Sequence, residues 1–434
     1  MSGSWAGARK TARANLAPGA PVTQPSGRRK RYPVLRVVLS RSRKGYSKAL
    51  PRRSTEGFIR RLLRMANSHG RDGQMNARER FHATFEYGRP DRVFLMPQWV
   101  FNDTRKRWLR EGLPWDVHFN SYFGFDRIEN IPINMDAYPP PETKVIEQTA
   151  HWCIVEDEFG ARTKRWTDRE LGMSQWLRFP VRDRETWEKW KQRFDPDAPN
   201  RYPEYWEHLK RCYQQRDFPL GIHAGSYYGW IRNWVGMENL ALWYYDCPDL
   251  VHEMTEFVAD FVLRVTRRAL DEIPDIDHGV LWEDMAMKTG SLISPRLFRE
   301  FMMGPLKRVT KALNEYGIEI IMLDCDGNVE ELIPLWLEAN VNLSYPLEVA
   351  AGCDAATYRA RFGRELLLLG NIDKRALRDG ATRAGIEREV MSKVPQLVEV
   401  GGYSPFVDHA VPPDVPFENF RYHVELLREA CTLA

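Results

Sequence analysis

Asp324-Cys325-Asp326 sets two carboxylates and a thiol at the end of an apolar run (Ile318, Ile320, Ile321, Met322, Leu323), just ahead of Gly327-Asn328. A short apolar run bounded by turn residues reads as a parallel strand buried on both faces. Strand periodicity then places Asp324 and Asp326 on one face and Cys325 on the other. Two carboxylates where a buried strand surfaces suit proton transfer or a hard cation. The same acids also suit a polar turn that caps the next helix, with Asn328 as N-cap and Glu331 in the capping-box position.

His409 lies in SPFVDHAVPPDVP, beside the last predicted strand. A histidine beside carboxylates can act as acid or base near neutral pH, and the competing reading is a loop histidine held by Asp408. Asp324, Asp326 and His409 together also offer oxygen and nitrogen donors for a divalent metal such as zinc. Other polar residues close other predicted strands: Gln98, His223, Glu283-Asp284, Glu348 and Asn371. Adjacent residues on a strand face opposite ways, and Glu283 is taken as the one facing inward. In GSYYGWIRNWVG the aromatics Tyr227, Tyr228, Trp230 and Trp234 are either the wall of a flat substrate site or core.

The elements that must position these residues alternate. Predicted strands at 218–224, 277–283, 318–323, 341–346, 365–370 and 403–407 are each followed by helical pattern, which argues for α/β with a parallel sheet. No G-x-G-x-x-G or Walker loop follows the first of them, so a (β/α)8 TIM barrel is favoured over a nucleotide-binding sheet. In such a barrel the strand ends share the catalytic rim. Before this series come a helix from Asn76, a strand at 93–99 and a loop at 121–145. Residues 145–181 alternate like an inserted antiparallel hairpin. Helices are expected at 295–316 and 329–338.

The charge is divided unevenly. Residues 1–74 hold 18 of the 63 basic and 2 of the 59 acidic residues, so the rest of the chain is acidic. An acidic body argues against nucleic acid as its partner. The expected organisation is a basic, disordered extension over 1–74 and a barrel domain over 75–434. That extension leaves organellar import open beside a cytoplasmic location. None of the six cysteines forms a C-x-x-C pair, and no apolar run reaches membrane-spanning length.

Seven stretches carry a family resemblance: RERFHATFEYGRPDRV, YFGFDR, EDMAMKTGSLISPRLFREFMMGP, LDCDGNVEELIPLWLEANVN, PLEVAAGCD, LLGNIDKRAL and DHAVPPDVPFENF. From Asn76 onward the chain resembles the uroporphyrinogen decarboxylase superfamily, which includes corrinoid-linked methyltransferases. The resemblance implies a (β/α)8 barrel. It also implies that Asp126, in FGFDR, matches an aspartate that holds pyrrole N–H groups, and that His409 matches a histidine near the C-terminus. The decarboxylases' R-Q-A-G-R motif is replaced by PQWVFNDTRKRWLR, where Arg105 and Arg107 stand at a different spacing. In the thiol methyltransferase branch a His-x-Cys pair and a later Cys bind zinc, and Asp324, Asp326 and His409 match those positions. The expectation is a decarboxylase-like lyase acting on a carboxylate-bearing, tetrapyrrole-type substrate by acid–base chemistry. Asp126, Asp324, Asp326 and His409 would be catalytic; Gln98, His223, Tyr227, Glu283, Glu348 and Asn371 would bind substrate. The alternatives are a corrinoid-linked methyltransferase or demethylase with a zinc-type metal at the rim, partnered by a corrinoid protein, and a non-catalytic tetrapyrrole or corrinoid binder. A homodimer is a further expectation.

Overall fold

The computed structural model describes residues 74–167 and 174–432, so the basic extension lies outside them except for Gln74. Seven strands form one parallel sheet: β1 (Glu129–Asn130), β2 (Leu220–His223), β3 (His278–Trp282), β4 (Ile320–Asp324), β5 (Leu343–Tyr345), β6 (Leu367–Ile372) and β7 (Tyr403–Val407). They neighbour one another in chain order, and helices intervene along the chain. The sheet is curled and TIM-barrel-like.

Alternation along the strands separates two apolar clusters. Ile320 and Met322 of β4, Leu343 and Tyr345 of β5, Leu367 and Leu369 of β6, and Phe406 of β7 form the inner one. Ile321, Leu323, Leu281 and Leu368 face the other way, among the helices. This two-sided burial is why the strands read as unbroken apolar runs. Helix Ala77–Phe85 adds Phe81 and Phe85 to the inner cluster, and the Phe81 ring lies 5.3 Å from those of Phe94 and His278. Each fully buried phenylalanine contributes about 1.5–3 kcal/mol.

Several expectations need correction. The strand expected at 93–99 does not join the sheet as a strand; an isolated parallel bridge links Val100 to Val411. Pro97 removes a backbone donor in its middle. Side chains link this segment to β7 instead: the Ser404 hydroxyl donates to Phe94 O and Val407 N to Gln98 Oε1. On the other side, Asp126 N donates to Leu95 O. β1 falls inside the stretch read as loop, because two residues are too few to show a period. The expected hairpin is a four-stranded antiparallel sheet of Lys144–Gln148, Trp152–Glu156, Arg162–Trp166 and Gln175–Arg178. The helix expected at 295–316 divides at Met302 into Pro295–Phe301 and Met303–Glu315. No helix among the described residues is long and apolar enough to cross a membrane.

A buried aspartate staples the end of the sheet from which the strands start. Asp277, just before β3, accepts from Arg78, His82, Arg216 and Leu220 N. Burial opposes its charge, yet His82 and the arginines hold its carboxyl far below the ordinary range. His82 is raised: burial opposes its charge, but hydrogen bonds to Asp277 and Glu86 prevail. The raised histidine stabilises the fold below its unfolded pKa of about 6.5, and this is lost as pH rises through the folded value. The depressed aspartate stabilises above about 3.8, and this is lost as pH falls through its folded value. Asp277→Asn should therefore cost about 3–5 kcal/mol. Urea midpoints should show the largest gap from wild type between about pH 4 and 6.5, narrowing at higher pH as His82 discharges.

Candidate functional site

Along β4, Ile320 and Met322 point to the inner cluster, and the next residue on that row is Asp324. Its register neighbours are Trp282 on β3 and Tyr345 on β5. Burial pushes the Asp324 carboxyl well above the ordinary carboxylate range, with Asp326 and Asp284 adding to the rise. Cys325 takes the opposite face, in the outer cluster. Its thiol donates to Asp326 O and accepts from Met285 N, both at 3.3 Å, and burial pushes its pKa up.

The chain then turns sharply. Gly327 has φ +88°, and a Cβ there would lie 2.7 Å from the Ala286 carbonyl. Only glycine permits both the left-handed backbone and this approach. Asn328 is not a helix cap: its side chain accepts from Glu330 N and donates to Ala351 O. The helix begins only at Ile333.

The turn brings Asp326 to His409, with Oδ2 3.3 Å from Nε2. This hydrogen bond raises the imidazole pKa above its ordinary value. Segment 98–104 presents the histidine. The Gln98 amide donates to His409 O and accepts from Val407 N, and the Phe101 ring stacks on the imidazole at 6.1 Å. Asp408 does not hold His409. It is buried, accepts from Val349 N and Lys374 N, and lies 3.5 Å from Lys374 Nζ. Burial pushes its pKa up.

The other expected residues divide into rim and scaffold. Glu348 is at the rim, accepting from Gly327 N and Lys374 Nζ. His223 is half-buried, accepts from Gly225 N and stacks on Trp230 at 5.6 Å. Burial lowers its pKa to about 4, so it is neutral at pH 7. Glu283 is buried and turned toward the loop after β2, where it accepts from the N–H groups of Tyr227, Tyr228 and Gly229. Burial outweighs these bonds and pushes it up to about 7. The choice of Glu283 as the inward acid is thus reversed. Asp284, at φ +46°, turns to the rim and accepts from Asp326 N at 3.4 Å. Tyr227 is fully buried, and Trp234 packs 5.0 Å from Phe194, so both belong to the core. Asn371 is buried and bonds Ala355 N, Leu347 O and Cys353 O, leaving no face for substrate.

Asp126 is placed elsewhere. It precedes β1, so it lies at the opposite end of the sheet from Asp324. Arg80, Arg92 and Leu95 N–H all donate to its carboxylate. With these donors satisfied internally, it stands apart from the His409 group. Arg107 pairs with Glu111 and Asp379. Among the described residues no three His, Cys, Asp or Glu side chains are arranged to hold a metal ion.

Lys374 and Arg232 belong to the rim and were missed, while Asp284 was read only as the outward neighbour of Glu283. Arg232 donates to Asp284 O at 2.7 Å and lies 3.5 Å from Asp284 Oδ2. The available signal was a lysine four residues after the predicted strand 365–370, in NIDKRAL.

Comparison with known proteins adds three findings. The family description "Uroporphyrinogen decarboxylase (URO-D)" matches residues 176–430. Uroporphyrinogen decarboxylases of Legionella pneumophila strains Paris and Corby are each 29% identical over 143 residues, 32% of this chain. The match spans only 38% of those relatives' length. A methyltransferase from Methanosarcina mazei superposes with a TM-score of 0.50 at 14% identity, covering 82% of this chain and 99% of the other, which is a likeness of fold.

The Asp326–His409 pair makes a checkable prediction. Asp326→Asn removes the charge that raises His409, so its NMR titration midpoint should fall to about 6.5 or below. A midpoint unchanged from wild type would show that the pair does not form in solution.

Proposed function

The chain belongs to the uroporphyrinogen decarboxylase family, and from that premise we propose that it is a carboxy-lyase working by acid–base chemistry at the ends of β4 and β7. The observation that carries this reading is a carboxyl shifted toward its protonated form, Asp324, facing inward beside the Asp326–His409 pair. A carboxylic acid retained near neutral pH is a proton donor. In the proposed step the substrate C–CO2⁻ bond breaks and CO2 leaves. Asp324 delivers its proton to the carbon that keeps the electron pair, and water reprotonates Asp324. His409, whose bond to Asp326 favours its charged form, would in that form balance negative charge while the carboxylate is held. Gln98 positions His409 through its backbone carbonyl. We further take segment 93–100 to fill the eighth strand position of a (β/α)8 barrel, as its bonds to β7 and Asp126 support.

CO2 release should be measured from a panel running from uroporphyrinogens to simple aromatic acids. Turnover is expected for at least one member, falling about 100-fold or more in Asp324→Asn and in His409→Gln. The rate should fall as pH rises through the raised values of both groups, since each acts in its protonated form. No release from any member overturns the proposal. Methyl exchange with methylcobalamin, followed by its absorbance, would favour methyl transfer instead.

A further inference from the structure

The charges at the rim are paired among themselves. Lys374 Nζ is 2.8 Å from Glu348 and 3.5 Å from Asp408. Arg232 is held by Asp284, and His409 by Asp326. Beyond the strand ends, Arg375 is paired with Asp373 and Arg378 with Asp414. Lys288, in the loop after β3, and Arg105, in helix Asn102–Glu111, are exposed to solvent. Against Arg232, Lys374 and His409 stand four carboxylates, Asp284, Asp326, Glu348 and Asp408, beside the Asp324 carboxyl.

A substrate with many carboxylates needs fixed cations that are not already neutralised. Here each further carboxylate would displace an internal ion pair and meet the acid it leaves behind. Repulsion of that kind discriminates between ligands as strongly as attraction does. The same rim offers ring surface. Trp99 is 40% exposed and lies 5.9 Å from Tyr345 and 5.6 Å from Phe406. Phe101 covers His409, and Trp230 covers His223.

We infer that the site takes an aromatic monocarboxylate and rejects polycarboxylates, with Asp284 and Glu348 as the specificity-determining residues that neutralise Arg232 and Lys374. This rests on the proposed site but not on its chemistry, so binding tests it independently of turnover. The probes are 1-naphthoate and benzene-1,3,5-tricarboxylate, measured by calorimetry at about 0.15 M salt, where exposed charges are screened beyond about 8 Å. Wild type should bind 1-naphthoate at least about 10-fold more tightly, a difference of about 1.4 kcal/mol. The naphthoate should also shift the His409 NMR signal. Asp284→Asn with Glu348→Gln keeps the hydrogen-bond acceptors, removes the carboxylate beside Arg232 and leaves Lys374 only Asp408, 3.5 Å away. It should bind the tricarboxylate about 10-fold more tightly than wild type does, with naphthoate affinity within about 2-fold. Wild-type preference for the tricarboxylate, or no gain in the double variant, overturns the inference. Loss of turnover in Asp324→Asn with binding preference intact leaves it standing.

Discussion

The period of two along β4, in a sheet buried on both faces, is the constraint on which the site depends. Ile320 and Met322 must enter the inner cluster, while Ile321, Leu323 and Cys325 must meet the helices. A slip of one residue would exchange the two sets. That burial holds Asp324 on the inner row, and enclosure there raises its pKa. The chemistry is thus supplied by packing: the same residue in a solvated turn would titrate as an ordinary acid.

The two ends of the sheet treat buried charge differently. Where the strands start, Asp126 and Asp277 are surrounded by Arg80, Arg92, Arg78 and Arg216. Their job is cohesion, because removing one partner of a buried pair leaves its counterpart uncompensated. Where the strands finish, acids outnumber cations at the rim, and Arg232, Lys374 and His409 are each paired with an acid. Burial, with the excess negative charge adding to it, pushes the Asp324 carboxyl toward its protonated form, the form that can donate a proton.

Much of the architecture was legible because it follows from local pattern. Apolar runs gave six of the seven strands, since burial on both faces removes the need for polar alternation. β1 was not legible: Glu129–Asn130 is too short and pairs only through its neighbour β2. The strand expected at 93–99 was apolar enough, but Pro97 interrupts its donors. The exposed insertion was recognised as antiparallel, though its four strands were read as two.

The sequence by itself determined the parallel α/β framework, the delivery of Asp324 to a strand end and the separation of Cys325 from it, because these depend on residues adjacent in the chain. Tertiary structure alone decided which polar groups meet. Asp326 reaches His409 across 83 positions because Gly327 tolerates a left-handed turn against Ala286. Glu283 and Asp284 exchanged roles because three N–H groups after β2 capture the first of them. Asp126, matched by resemblance to a substrate-holding residue, was claimed by Arg80 and Arg92. A side chain's partners are fixed by the elements folded against it, and no local spacing carries that information.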